Sequence, residues 1–280
     1  MLNAKRVLIL LEIKRKTVPG IFLPAAGTLI AHSNYITVTY YFMKYLFCVR
    51  CLLCAVIFML STIEVAFCQH PVVRFNREDY TKQDSIHLME SYGKNKELIP
   101  QFALPALIAL SYFPELKDTH IRFIYKPAHA TLATKPVFPY VLLTGSKRTF
   151  VIIVSDSTMW KLEPIILPHM DFNAQIGIIG HELSHVVDFS QRSLWSLAGE
   201  GVGHLSSKYL DRFEYRTDSI CIAHGLGYQL LEWSMYIRST MHTKNWDGAD
   251  NINEPVMKTE RYMNPSTIRK RIQQSALYQK

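Results

Sequence analysis

Cysteine is scarce in most of this chain. Four of its five cysteines, Cys48, Cys51, Cys54 and Cys68, fall within the first 68 residues, and Cys221 stands alone after them. From residue 69 onward there is therefore no pair for an internal disulfide, and no zinc-ribbon cysteine pairs. Concentrated positive charge is missing as well. The formal net charge is +8, but residues 1–68 hold seven Lys/Arg and two Asp/Glu, which is +5. The other 212 residues hold 24 basic and 21 acidic groups, only +3. That balance argues against nucleic acid as a partner. There is no internal repeat and no low-complexity linker, and about 210 residues suit one domain with its own core.

A long membrane-spanning run is also lacking near the start. The uncharged apolar stretch 51–63 has 13 residues, bracketed by Arg50 and Glu64, short for a span of about 20. Read from Met43-Lys44, residues 43–68 have the plan of a secretory signal. A charged start leads into the apolar run, and Ala66-Phe67-Cys68 forms a permissive cleavage junction before Gln69. The expectation is export, to the outside or to the periplasm and cell envelope. If 43–68 stays attached as a signal anchor, with Arg50 snorkelling, the protein sits at the membrane instead. Phe67 is bulky for a lipid-attachment site at Cys68. Residues 1–42 read as an upstream extension without structure, since Pro19, Gly20, Pro24 and Gly27 interrupt their uncharged part.

What is present is a polar pentapeptide in an apolar helix: His181-Glu182-Leu183-Ser184-His185, preceded by Ile178-Ile179-Gly180 and followed by Val186-Val187. Histidines four apart share one helix face, so both rings can reach one ion. Glu182 lies to the side of that pair, where it can hold a zinc-activated water and take its proton during attack on a carbonyl. A third ligand is available 29 residues after His185, in Glu214-Tyr215-Arg216-Thr217-Asp218. Glu214 completes a His, His, Glu set with one open position. Asp218, one turn further, can accept the other ring N–H of a ligand histidine and fix its tautomer. Cys221 follows Glu214 by seven residues on the same helix face and is expected to pack beneath this site as a small hydrophobe.

The two motifs together resemble the gluzincin peptidases, most closely the family of HtpX and the CAAX-prenyl endopeptidases, in which HExxH is followed by ExxxD. The resemblance covers residues 174–225. It implies His181, His185 and Glu214 as ligands of one zinc ion per chain, Glu182 as catalytic general base and Asp218 as a supporting carboxylate. A metzincin pattern is excluded, because Asp188 and Gln191 stand where glycine and histidine are required. Tyr262-Met263-Asn264-Pro265 resembles the family's late His-Pro segment, with Asn264 in place of the histidine. On that similarity Tyr262 and Arg261 are candidate oxyanion stabilisers. His224 is a third candidate, from its nearness to the metal-binding elements.

Along the chain, residues 77–112 read as two helices split at 93–96, and 121–125 and 140–143 as strands. Residues 149–154 give the strongest strand pattern, expected as the edge strand against which a peptide lies. The metal helix is expected to start with Asn173 as its cap. A further helix over 205–239 is broken near Gly225 and Gly227, and a last one spans 266–278. The expected fold is α+β and zincin-like: a small mixed β-sheet, an active-site helix and a mostly helical C-terminal part, in one domain over 69–280. The expected function is an exported zinc metallopeptidase acting on peptide or protein substrates. The alternatives are a catalytically silent binding or assembly protein on the same fold and a membrane-anchored quality-control protease.

Overall fold

The computed structural model describes residues 70–143, 147–158, 161–193, 206–248 and 260–279. The segments read as extension and as signal or anchor lie outside the described residues. Helix α1 (Lys82–Tyr92) starts from a capping box: Thr81 Oγ1 accepts the Asp84 amide, and the Asp84 carboxylate accepts the Thr81 amide. The short strand β1 (Lys96–Glu97) follows, then α2 (Ala103–Ser111), which is apolar all round and buried from Pro105 to Ser111. Pro105 sits in the first turn, where its missing N–H costs no intrahelical bond. Strand β2 (His120–Tyr125) then pairs parallel to β1, so α2 serves as the crossover helix of a βαβ unit.

Strands β3 (Leu132–Pro136) and β4 (Thr149–Val154) complete a mixed four-stranded sheet of order β1-β2-β4-β3, β2/β4 parallel and β3/β4 antiparallel. The fold is thus α+β, with six α-helices and a small mixed sheet among the described residues. Strand β4 is interior, not the edge strand expected of it. Its run Phe150-Val151-Ile152-Ile153-Val154 is buried throughout, as befits a strand covered on both faces. The edges are β1 and, beside β4, β3, where Pro136 is tolerated because an outer position needs no donor on its open side.

Residues 140–143 are not a strand either. Tyr140–Leu142 form a 3-10 turn. The carbonyls of Val141 and Leu143 point at the Arg148 guanidinium (3.2 and 2.7 Å), so they are unavailable to a ladder. Arg148 is 0% exposed and also donates to the carbonyls of Phe189 and Arg192 at 2.6 and 2.7 Å. It thereby caps the C-terminal end of the central helix, where a cation meets the negative end of the helix dipole.

In that central helix, α3 (Phe172–Gln191), the N-cap position falls to Asp171, two residues earlier than the expected Asn173, and no side chain bonds to cap it. Asn173 instead lies inside the helix with a buried side chain. Its Oδ1 accepts the Phe75 amide and its Nδ2 donates to the Phe75 carbonyl, stitching the N-terminal segment to the core. Helix α3 is buried along most of its length, against α2, β3 and two helices that follow, α4 (Ser207–Ala223) and α5 (Gly227–Thr240). The break between those two falls at Gly225, whose φ of +96° is open to glycine at little cost. Close approach of α5 depends on Gly177, where a Cβ would stand 2.2 Å from the Gln229 carbonyl oxygen. Helix α6 (Pro265–Gln274) ends before the predicted 278, and Ala276–Tyr278 form a separate 3-10 turn. Among the described residues no helix is long and apolar enough to cross a membrane.

Candidate metal centre

Helix periodicity puts His181 and His185 on the same side of α3, with ring centroids 4.8 Å apart and the rings edge-on at 89°. Helix α4 supplies the facing groups from Glu214, Thr217 and Asp218, which three- and four-residue spacing aligns on one side. The Nδ1–H of His181 donates to Asp218 Oδ1 at 2.8 Å. The His185 ring makes the equivalent bond to Thr217 Oγ1 at 3.2 Å, and the Thr217 hydroxyl in turn donates to the Phe213 carbonyl at 3.0 Å. Both Nδ1 positions are thereby used as donors, so each ring in its neutral form keeps its lone pair on Nε2. Each Nε2 faces the same atom, Glu214 Oε2, at 3.1 and 3.3 Å.

One donor atom from each of His181, His185 and Glu214 lies within 4.8 Å of the others, and this group could hold a metal ion. The surroundings agree with a missing positive charge. His181 is 1% exposed. Burial disfavours its charged form, yet the bonds from Asp218 and Glu214 push its pKa up to about 10. Burial pulls Glu214 the other way, but both histidines hold its carboxyl well below the usual carboxylate range. Two buried carboxylates around a shared imidazole call for a cation there, a proton or a metal.

Glu182 is 5% exposed, and its Oε2 has no hydrogen-bond partner among the described residues. A carboxylate oxygen held dry without a donor is costly. A cation nearby, or a water held between it and Glu182, would relieve that cost, so the residues present fit a metal. The backbone carbonyl of Glu182 accepts Thr134 Oγ1 from β3 at 3.3 Å, tying the open edge of the sheet to the metal helix.

Aromatic rings close the centre. Trp233 of α5 and Tyr262 lie 5.5 and 5.6 Å from the His181 ring, and Phe213 stacks on His185 at 4.8 Å. Burial first, then the charges of Glu214, Glu182 and Asp218, push the Tyr262 hydroxyl well above its ordinary range, so it stays protonated at neutral pH. Of the three residues named as oxyanion candidates, Tyr262 has its ring against the cluster. Arg261 pairs with Asp211 at 3.0 Å and donates to the Asp247 carbonyl. His224 closes the far end of α4, donating to the Ile220 carbonyl, paired with Glu115 at 2.7 Å and stacked on Phe113. Cys221 packs against α3, where a Cβ on Gly180 would meet its sulfur at 3.3 Å, and burial raises its thiol pKa well above normal.

Sequence reasoning missed Thr217, although its place three residues after Glu214 puts it on the same helix face. It also missed the tie from Asp218 Oδ2 to the Met263 amide, at 2.7 Å, which brings the Tyr262 segment to the centre. No local sequence signal marks that contact. No protein-family model, no curated protein and no solved structure matches the chain.

Proposed function

We propose that this protein is a zinc-dependent peptidase on a zincin-like fold, of the gluzincin type, which hydrolyses peptide bonds in peptide or protein substrates. The observation that supports this reading best is the convergence of donors from His181, His185 and Glu214, together with the buried, unpartnered oxygen of Glu182, the residue next to His181 in the helix. One zinc ion per chain would be held by those three side chains. Zinc, when bound, supplies Lewis acidity, lowering the pKa of a water to about 7 and polarising a carbonyl.

The protein's own groups do the rest. Glu182 takes the proton of the attacking water and returns it to the departing amine. Asp218 and Thr217 hold the two imidazoles in the tautomer that leaves Nε2 free. The protonated Tyr262 hydroxyl donates to the carbonyl oxygen as negative charge develops on it. The open edge of β3, beside Glu182, pairs with the backbone of an extended peptide whatever its side chains. Export through residues 43–68 belongs to the same reading.

Metal analysis of the purified protein, run beside incubation with an unbiased peptide library, tests this directly. The expected result is zinc at about one per chain and cleavage that a chelator stops and added zinc restores. Zinc-free protein with undiminished cleavage would overturn the metal assignment.

A further inference from the structure

A cleft of about 740 Å³ lies on a different face of α4 from the metal centre, between α4 and α6. Its walls carry Lys208, Arg212 and Arg216 from α4 and Arg271 from α6, against only two acids, Asp211 and Glu260. Both acids are engaged. Asp211 pairs with the buried Arg261 at 3.0 Å, and Glu260 accepts from the Asn264 amide and side chain and from Thr267. Arg216 is held by Asp188 at 3.0 Å. Among the described residues no ion pair reaches Lys208, Arg212 or Arg271, and the Arg271 guanidinium rests 5.8 Å over the Tyr215 ring.

We infer that this cleft docks an extended acidic segment of a protein or peptide. The charge is complementary, and so is the spacing. Lys208 and Arg212, which no ion pair reaches among the described residues, are four residues apart, which separates them by about 6 Å along the helix axis. Arg216, shared with Asp188, stands at the next such step. Alternate side chains of an extended chain are about 6.7 Å apart. A row of cations at that interval matches acidic residues at alternate positions. A lone phosphate would need a tight cluster rather than a row. Arg271, on the Tyr215 ring, supplies a preorganised fork for one carboxylate. Because Asp211 and Glu260 are committed to the protein's own groups, they do not neutralise Lys208, Arg212 or Arg271; Asp188 draws only on Arg216.

The inference concerns binding and holds whether or not the metal centre cleaves peptides. The test uses the purified full chain carrying Glu182→Gln, so that turnover cannot consume the probe. A fluorescent peptide of alternating Glu and Ser, and a Lys/Ser counterpart, are titrated by anisotropy at about 50 and about 200 mM salt. We expect the acidic peptide alone to bind, more weakly at higher salt. Arg212→Glu with Arg271→Glu should weaken it at least about tenfold. The distant pair Lys82→Glu with Lys126→Glu, equal in charge change, should leave it within about twofold. Circular dichroism melting confirms that both variants are folded. Equal weakening by both pairs would mean diffuse attraction to a basic protein and would overturn the inference. So would complete displacement by inorganic phosphate at constant ionic strength, which would make the cleft a single-anion site, and so would absence of binding.

Discussion

Asp218 divides its two carboxylate oxygens between His181 and Met263, accepting the ring Nδ1–H at 2.8 Å with one and the backbone amide at 2.7 Å with the other. One side chain therefore orients a ring of the candidate metal centre and anchors the segment that carries Tyr262. Asp218 is 1% exposed, so neither bond competes with water.

Asp218→Asn keeps the shape but weakens the acceptor opposite His181. We predict that zinc affinity falls about 10- to 100-fold while the protein remains folded. Competition with a chelating dye measures this. Unchanged affinity would show that Asp218 does not orient the ligand.

Metal uptake should release a proton. With no metal bound, His181 is held protonated by its carboxylate neighbours, with a pKa near 10, whereas a ligand imidazole must be neutral. Below that value, affinity should rise with pH. Calorimetry of zinc binding near pH 7.5, in buffers of different ionisation enthalpy, should show about one proton released per zinc. A heat independent of the buffer would contradict it.

The convergence of the two histidines was legible because its cause is local: helix spacing alone sets two rings on one face. Glu214 and Asp218 were legible for the same reason. Thr217 shared that spacing, but a threonine in a helix usually bonds its own backbone, as this one also does. The edge strand was misassigned although its signal was present. The unbroken run Phe150–Val154 marks two-sided burial, whereas β3, with its Lys135-Pro136 end, lacks both alternation and a continuous apolar run. Residues 140–143 are apolar yet largely exposed, and only the buried Arg148 explains where their carbonyls turn. Such a tertiary contact leaves no trace in local pattern.

Packing of α5 on the metal helix gives a further prediction. At Gly177 a Cβ would stand 2.2 Å from the Gln229 oxygen and 2.5 Å from its carbonyl carbon, both backbone atoms that cannot rotate away. Gly177→Ala should destabilise the protein by about 1–3 kcal/mol, despite alanine's better helix propensity. Urea denaturation reads this directly, and an unchanged or raised midpoint would show that α5 yields easily.

The His224–Glu115 pair should make stability depend on pH. Burial, the largest single effect, opposes charge on both groups, but their hydrogen bond, their mutual attraction and bonds to the backbone together outweigh it, raising His224 above its ordinary 6.5 and lowering Glu115 below 4.5. The His224 part is fully present below 6.5 and is lost as pH rises through its raised value. The Glu115 part is present above 4.5 and is lost on acidification. Both groups are partly exposed, so the contribution should be below about 1 kcal/mol. Melting wild type and Glu115→Gln side by side from pH 6 to 9 should show the wild-type advantage shrinking as pH rises. A constant difference would mean that the pair carries no charge-dependent stability.

The central claim is that Glu182 performs chemistry at a metal centre it does not build. Glu182→Gln is nearly isosteric but cannot take a proton from water. Zinc content and turnover of the best library peptide, measured on the same samples of wild type and variant, separate the two roles. The account predicts equal zinc content, an equal melting temperature and a fall in kcat of about 10²–10⁴-fold, the usual scale of general acid–base catalysis. Equal turnover by wild type and Glu182→Gln would contradict it.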